Sequence, residues 1–217
     1  MTTESDISTA PMATATVPLA NREPAHTKPV HPFYFFLLRL SRRLGQLLFR
    51  PKVTGLDQLP REGGVLLLPN HISYGDAALI QTASPRHVRF VVYEPIYHRF
   101  GLRWIMRLMR TIPIMPGNSG EGLKASIEAL EAGHVVCLFP EGGISRVGHL
   151  IPLKHGFMRI AAATGAPILP VHIDGLKRSG LPKKRGEVTV KYRALLSATE
   201  ANIENVTAAL QPDGNES

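Results

Sequence analysis

The chain has 217 residues and carries 25 Lys plus Arg against 17 Asp plus Glu, which gives a formal net charge of +8. Its composition, 44% hydrophobic and 19% charged, excludes a disordered chain and a protein with many membrane spans, and its length suits one domain. The single cysteine, Cys137, excludes an intramolecular disulfide. The positive charge indicates an anionic partner, and composition leaves nucleic acid, a membrane surface and a phosphorylated substrate open.

Residues 1–30 are rich in Thr, Ser, Ala and Pro and have no apolar periodicity. This composition predicts a disordered tail, and the lack of a basic start followed by an apolar run predicts that the tail is not a secretory signal. The tail has two cations and three acidic residues, so the positive excess lies further along the chain. It is concentrated in three basic patches, at 39–52, 86–110 and 177–185.

The sequence pattern of residues 31–50 predicts an amphipathic helix. This helix contains most of the first basic patch. Leucines recur at helical spacing and polar side chains lie on another side. The leucines are Leu37, Leu40, Leu44 and Leu47 or Leu48, and the polar residues are Arg39, Arg42, Arg43 and Gln46. The apolar run before the first arginine is too short to span a bilayer. The aromatic stretch at 33–36 favours a helix lying in the lipid headgroup layer. The alternative is an ordinary helix packed on the protein's own core.

The second patch includes a predicted helix at 99–110, in which four arginines fall on a different face from the apolar side chains. This pattern is typical of a solvated charged face, although arginine without lysine also suits phosphate recognition. We therefore expect the arginines at 86–110 near phosphate-bearing substrates. The third patch, at 177–185, suits a membrane surface or an acidic carrier protein.

The rest of the chain alternates short apolar runs with helical patterns. Strands are predicted at 65–68, 88–92, 112–115, 135–139, 168–173 and 188–192, and helices at 76–83, 99–110, 119–132 and 155–164. This alternation predicts a single α/β domain over 51–197, with a largely parallel sheet covered by helices, followed by a C-terminal helix or tail at 198–217. Ligand sites in such folds lie at the ends of strands, in the loops that lead into helices.

The first chemically informative segment follows the predicted strand at 65–68. His71 leaves this strand, and Asp76 comes five residues later at the start of a helix. Such a pair can form a dyad in which the carboxylate orients the imidazole, so that the free ring nitrogen removes a proton from a hydroxyl. The alternative is structural, with Asp76 as an N-cap and His71 as a polar loop residue.

The second segment, residues 139–146, follows the predicted strand at 135–139. Its two glycines allow a ligand to approach the backbone closely, and Ser145 and Arg146 add a hydroxyl and a cation that suit a phosphate. The alternative is that Glu141 and Arg146 only form a local ion pair that closes a turn.

Together the two segments resemble the glycerolipid acyltransferase superfamily over roughly residues 35–195. The family motifs are Asn-His with an Asp five residues after the His, and Phe-Pro-Glu-Gly with a following Ser or Thr and Arg, matched here by Asn70, His71 and Asp76 and by Phe139, Pro140, Glu141, Gly142, Ser145 and Arg146. The resemblance implies that His71 and Asp76 are catalytic. It also implies that Asn70, Glu141, Gly142, Ser145 and Arg146 bind the substrate.

The resemblance further implies transfer of a fatty acyl group from acyl-CoA or acyl carrier protein to a lysophospholipid, with no cofactor and no metal. The segments at 88–97 and 169–175 look most like the acyltransferase part of bacterial 2-acylglycerophosphoethanolamine acyltransferases. An arginine that lysophosphatidate acyltransferases tend to carry is missing at 111–116, which leaves a headgroup-bearing acceptor open beside 1-acylglycerol-3-phosphate. We expect a peripheral or monotopic protein on the cytoplasmic face of an anionic membrane.

Two other functions are consistent with the same residues. One is a lipid-binding member of the fold without turnover, and the other is a hydrolase that uses the dyad to activate water. Nucleic-acid binding is not expected, because no known motif accompanies the basic patches. Cys137 lies inside an apolar strand and is expected in the core, and the spacing of His149 and His155 does not favour a metal site.

Overall fold

The computed structural model describes residues 32–98, 101, 103–115, 119–145, 149–184 and 186–212. The predicted tail at 1–30 and the predicted phosphate ligand Arg146 lie outside these residues.

Seven strands form one sheet: β1 Lys52–Thr54, β2 Val65–Pro69, β3 Val88–Tyr93, β4 Ile112–Ile114, β5 Val135–Cys137, β6 Ile168–Asp174 and β7 Thr189–Tyr192. Their order across the sheet is β1-β7-β6-β2-β5-β3-β4. All neighbouring strands are parallel except β6 and β7, which are antiparallel. The prediction of a largely parallel sheet is confirmed.

Helices cover both faces of this sheet. They are α1 Pro32–Phe49, α2 Asp76–Ala83, α3 Glu94–Tyr97, α4 Arg103–Leu108, α5 Gly120–Glu131, α6 Gly156–Thr164 and α7 Ile203–Leu210. Alternate residues of β2 belong to two different cores, with Leu67 packed on the side of α2 and Leu66 on the side of α5 and α6. Because both faces are covered, the strand reads as a continuous apolar run rather than an alternating one.

The helix predicted at 99–110 is shorter in the described residues, where α4 spans Arg103–Leu108. The segment between β3 and β4 contains two shorter helices, α3 and α4, and Gly101 between them has a positive φ of 81°. A residue in the left-handed region interrupts a right-handed helix, and glycine adopts this region without a steric penalty. Neither α3 nor α4 has a buried residue.

Helix α1 packs against α2 through a glycine. A Cβ added at Gly45 would overlap the side chain of Thr82, so the two helices approach closely at this point. The leucines on the remaining surface stay in solvent, since Leu40, Leu44 and Leu47 are 41%, 58% and 59% exposed. Phe49 at the end of the same helix is buried in the core, so both interpretations of this helix, a membrane-facing one and one packed on the protein's own core, stay predictions.

The parallel arrangement brings two loops together at one edge of the sheet. Strands β2 and β5 are neighbours, with Leu67 opposite Cys137. Their carboxyl ends therefore point the same way, and the loops that follow them carry the two segments singled out in the sequence.

Candidate active site

The loop after β2 forms the predicted dyad. Nδ1 of His71 lies 2.8 Å from Oδ2 of Asp76, and the same oxygen accepts hydrogen bonds from the backbone N–H groups of Ile72 at 2.8 Å and Ser73 at 2.9 Å. The loop is thus wrapped around one carboxylate oxygen, and Asp76 is fully buried. A carboxylate can only accept a hydrogen bond, so the proton of the neutral imidazole resides on Nδ1.

The imidazole of His71 is held on its face as well as at its edge. It stacks on Phe139, with ring centroids 4.0 Å apart and an angle of 23° between the planes. The side chain is 19% exposed, and Nε2 has no hydrogen-bond partner among the residues that the structure describes. This arrangement leaves a fixed ring with a free lone pair directed away from Asp76, which is the form that a general base requires.

Two hydrogen bonds, each donated by a backbone N–H group, join the loop after β5 to the loop of the dyad. The N–H of His71 donates to Oε1 of Glu141 at 2.7 Å, and the N–H of Ser145 donates to the carbonyl oxygen of His71 at 2.8 Å. The other oxygen of Glu141 accepts from the N–H of Ile151 at 3.2 Å. Glu141 therefore fastens the segment around residue 151 and the loop of the dyad to one carboxyl group.

Burial raises the pKa of the Glu141 carboxyl above its ordinary value, and the N–H bonds from His71 and Ile151 offset only part of this effect. Glu141 consequently takes up a proton at a higher pH than an exposed glutamate. A protonated carboxyl has an oxygen that donates rather than accepts, so acidification weakens the link between the two loops.

Asn70 and Ser145, both predicted to bind the substrate, make structural contacts. The side-chain oxygen of Asn70 accepts from the N–H of Ile173 at 2.7 Å, and its NH₂ group donates to the carbonyl of the same residue at 2.9 Å. The amide thus ties the end of β2 to β6. The hydroxyl of Ser145 donates to the carbonyl of His149 at 2.6 Å and closes the second loop. Direct contact of either side chain with a substrate stays a prediction.

A cation that sequence reasoning missed lies beside the second loop. Gly142 has a positive φ of 70°, and a Cβ added there would be 2.5 Å from Nζ of Lys154. The N–H of Lys154 donates to the carbonyl of Pro140 at 2.8 Å, so both the backbone and the ammonium group follow the Phe139–Gly142 turn. Nζ has no carboxylate partner within the described part of the chain. The signal in the sequence was the glycine, which leaves room for the lysine.

The prediction for the second basic patch is wrong at Arg86. Its guanidinium donates to the carbonyl groups of Pro60, Gly63 and Gly133 at 2.7–2.9 Å. These residues precede β2 and β5, whereas the dyad follows β2. Arg86 therefore ties together loops at the edge of the sheet opposite His71.

Among the described residues, no group of three or more His, Cys, Asp or Glu side chains is arranged to hold a metal ion. No helix in the same residues combines the length and apolarity needed to cross a bilayer.

An open apolar groove of about 430 Å³ lies next to the second loop, lined by Leu150, Ile151, Pro152, Leu153, Ile203, Thr207 and Gln211.

The fold and the site together define a class of protein. It is an α/β protein with a histidine-aspartate dyad at the carboxyl end of a central strand. The model of the Acyltransferase family matches residues 50–174, and the chain belongs to this family. The resemblance to glycerolipid acyltransferases is confirmed. The match includes the dyad and the whole of the described second loop.

Individual relatives agree with this assignment. The chain is 27% identical over 161 residues to a chloroplastic 1-acyl-sn-glycerol-3-phosphate acyltransferase of Brassica napus, covering 67% of this chain and 46% of the relative. It is 24% identical over 126 residues to the 1-acyl-sn-glycerol-3-phosphate acyltransferase of Bacillus subtilis, covering 57% of this chain and 62% of the relative. The chain thus spans about half to two thirds of these relatives.

A solved structure has the same fold. The crystal structure of the 1-acyl-sn-glycerophosphate acyltransferase PlsC from Thermotoga maritima aligns with a TM-score of 0.65 at 24% identity, covering 81% of this chain and 75% of that one. This likeness extends the fold assignment beyond the family match at 50–174.

Proposed function

We propose that this protein transfers a fatty acyl group from a thioester, acyl-CoA or acyl carrier protein, to the free hydroxyl of a lysophospholipid. The observation that carries the proposal is the dyad. His71 has its Nδ1 fixed by a buried carboxylate at 2.8 Å and its Nε2 free, at the junction with the Phe139–Ser145 loop. Curated relatives are named 1-acyl-sn-glycerol-3-phosphate acyltransferases, which supports an acyl acceptor of the lysophospholipid class.

In the proposed reaction, Nε2 of His71 takes the proton of the acceptor hydroxyl as the oxygen attacks the thioester carbonyl. The new C–O bond gives a tetrahedral intermediate, whose collapse breaks the C–S bond and releases the thiolate. The imidazolium then returns its proton to this sulfur. Asp76 stabilises the imidazolium through Nδ1. The steps balance without a cofactor or a covalent enzyme intermediate.

The second loop supplies groups for negative charge. The backbone N–H groups of Gly143 and Ile144 have no hydrogen-bond partner within the described residues, so they are available to the oxyanion of the tetrahedral intermediate. We assign the phosphate of the acceptor to Lys154 and Arg146. The narrow space over Gly142 holds the ammonium of Lys154 beside the loop. Glu141 acts as a positioning residue through the N–H of His71.

We further propose that the protein binds peripherally to the cytoplasmic face of a membrane, where acyl-CoA and acyl carrier protein are found. Phe36, Leu40, Leu44 and Leu47 recur at helical spacing on α1 and are exposed. The arginines Arg39 and Arg43 beside them are exposed as well. An apolar stripe next to cations suits a helix lying in the headgroup layer.

The proposed function is tested with the pure protein, labelled acyl-CoA or acyl carrier protein, and a panel of lysolipids with and without a headgroup. We expect a labelled phospholipid whose formation requires the lysolipid. Labelled free fatty acid without phospholipid would instead identify a hydrolase. Binding of lysolipid without any release of thiol would identify a lipid-binding protein, and either result would overturn the proposal.

A further inference from the structure

The connection between β6 and β7 begins with a small basic hairpin, residues 176–184. Leu176 is buried and pairs with Pro182 across the hairpin. The N–H of Lys177 donates to the carbonyl of Leu181 at 2.8 Å, and the N–H of Gly180 returns to the carbonyl of Lys177 at 2.9 Å. The tip of the hairpin is therefore a defined turn rather than a loose loop.

This basic hairpin packs directly against the catalytic loop. The N–H of Tyr74 donates to the carbonyl of Arg178 at 3.2 Å. A Cβ added at Gly75 would be 2.5 Å from the carbonyl oxygen of Gly180, so the two backbones touch here. Tyr74 lies between His71 and Asp76 in the chain. The hairpin tip thus lies beside the loop that carries the dyad.

Two cations of the basic hairpin are paired and two are not. Lys183 forms an ion pair with Asp174 and Lys184 with Glu187, each at 3.4 Å. Lys177 and Arg178 are exposed and have no acidic partner among the described residues. The turn therefore presents its unpaired positive charge at the tip, beside the catalytic loop.

Large apolar side chains are exposed at the same place. Tyr74 is 69% exposed and Leu181 is 54% exposed. They flank the contact between Gly75 and Gly180, so they are carried on adjoining backbones. Aromatic and aliphatic side chains beside cations are favoured where lipid headgroups meet acyl chains. The cations meet anionic headgroups, and the apolar side chains enter the layer beneath.

We propose that the basic hairpin and Tyr74 form a contact surface for an anionic bilayer, separate in sequence from helix α1. The contact holds the entrance of the site against the membrane, so that an acceptor reaches Nε2 of His71 without crossing water. The delivery of an acceptor to His71 rests on the proposed function, whereas the binding of the basic hairpin to a bilayer does not. Tyr74 and Leu181 favour a bilayer over an acidic protein, because insertion of apolar side chains needs an apolar layer.

The test compares two variants with the same change in charge, Lys177→Gln/Arg178→Gln and Arg61→Gln/Lys124→Gln. Arg61 lies in the loop before β2, at the opposite end of the strand from the dyad, and Lys124 lies on α5, which packs on β4, β5 and α6. Both residues are exposed. Binding is measured by sedimentation with phosphatidylcholine vesicles, with and without phosphatidylglycerol. We expect the hairpin variant to bind anionic vesicles up to about 25-fold more weakly, since each cation near such a surface contributes roughly fivefold.

A third variant, Leu181→Ser, isolates the apolar part. We expect it to bind both kinds of vesicle more weakly, because it loses insertion rather than charge. Equal losses for the hairpin variant and its control would show that only net charge matters and would overturn the proposal. So would wild-type vesicle binding combined with a raised KM for acyl carrier protein, which would make the hairpin a docking site for the donor protein.

The same proteins separate this inference from the proposed function. Vesicle binding needs no substrate, so it is measured even if the wild-type protein transfers no acyl group. Weaker binding of the hairpin variant by an inactive wild-type protein would support the contact surface and refute the acyl transfer. If the wild-type protein transfers acyl groups and the hairpin variant binds vesicles as well as wild type does, the acyl transfer would be supported and the contact surface refuted.

Discussion

Asp76 determines both the position and the protonation of His71. Its Oδ2 accepts from Nδ1 of His71 and from the N–H groups of Ile72 and Ser73, all within 2.9 Å. The backbone contacts fix the carboxylate, and the carboxylate fixes the ring. In the proposed reaction, the same carboxylate stabilises the positive imidazole that forms when Nε2 accepts a proton. Because the group is fully buried, water does not weaken this interaction.

Replacing Asp76 with asparagine tests this role. We expect Asp76→Asn to lower kcat by about 10³- to 10⁴-fold, because the neutral amide stabilises the imidazolium poorly and allows the wrong tautomer of His71. Steady-state kinetics give kcat and KM, and circular dichroism reports whether the fold survives. Asp57→Asn, in the exposed 3₁₀ helix Leu56–Gln58, is the control. A folded Asp76→Asn protein with a kcat within tenfold of wild type would refute the role.

Lys154 provides a second test at a single residue. We expect Lys154→Met to raise the KM for a lysophospholipid about tenfold, with a smaller effect on kcat, because one charged contact with the phosphate is lost and the site is partly exposed to solvent. Lys124→Met is the matched control, since Lys124 is exposed on α5 and pairs with Glu128. Equal KM values for the two variants would show that Lys154 does not bind the phosphate of the acceptor.

Among the elements, those with a strong local pattern could be predicted from the sequence. Helix α2 was predicted with its observed bounds, and the buried strands β2 and β6 were predicted to within a residue. Strand β1 was missed because it has three residues and an exposed side chain at each end. Its pairing with β7 joins distant parts of the chain, which periodicity does not encode.

In the candidate site, too, some features could be predicted from the sequence and others could not. Motif spacing predicted the dyad, because five residues of chain fold locally around one carboxylate. Spacing gave no sign that both polar atoms of Asn70 bond to Ile173, or that Lys154 lies over Gly142. These contacts depend on how strands and loops pack in three dimensions.

The contact of α1 with α2 is tested by Gly45→Ala. Glycine to alanine inside an exposed helix normally adds up to about 1 kcal/mol to stability. At Gly45 the new Cβ meets the buried side chain of Thr82, so we expect a loss of about 1–3 kcal/mol in the free energy of unfolding instead. Urea denaturation measures it. Gly120→Ala on α5, which has open space at its Cβ, is the control, and equal effects would contradict close packing.

At the scale of the whole molecule, burial and nearby positive charges lower the pKa of two histidines outside the candidate site. Burial, and to a smaller extent the positive charges of Arg89, Arg110 and protonated His134, lower the pKa of His87 to about 4. Burial lowers the pKa of His134 to about 4 as well, together with Arg89, Arg110 and Arg86. Both histidines are therefore neutral in the folded protein at neutral and mildly acidic pH.

These shifts predict how stability depends on pH. The unfolded chain takes up protons on both histidines near their ordinary pKa of 6.5, whereas the folded protein takes them up only near 4. The free energy of unfolding should therefore fall as the pH drops from about 6.5 to about 4. Urea denaturation across this range measures the slope. We expect a shallower slope for His87→Gln/His134→Gln, and an unchanged slope would contradict the assignment.

At the scale of the whole molecule, the proposed activity is acyl transfer with His71 as the base. Its most direct test is the rate of lysolipid-dependent thiol release from acyl-CoA or acyl carrier protein by wild type and His71→Ala, with labelled phospholipid counted in parallel. We expect the wild-type protein to release one thiol for each phospholipid formed. His71→Ala should keep its circular dichroism spectrum and vesicle binding but lose transfer. A folded His71→Ala protein that retains the wild-type rate would contradict the account.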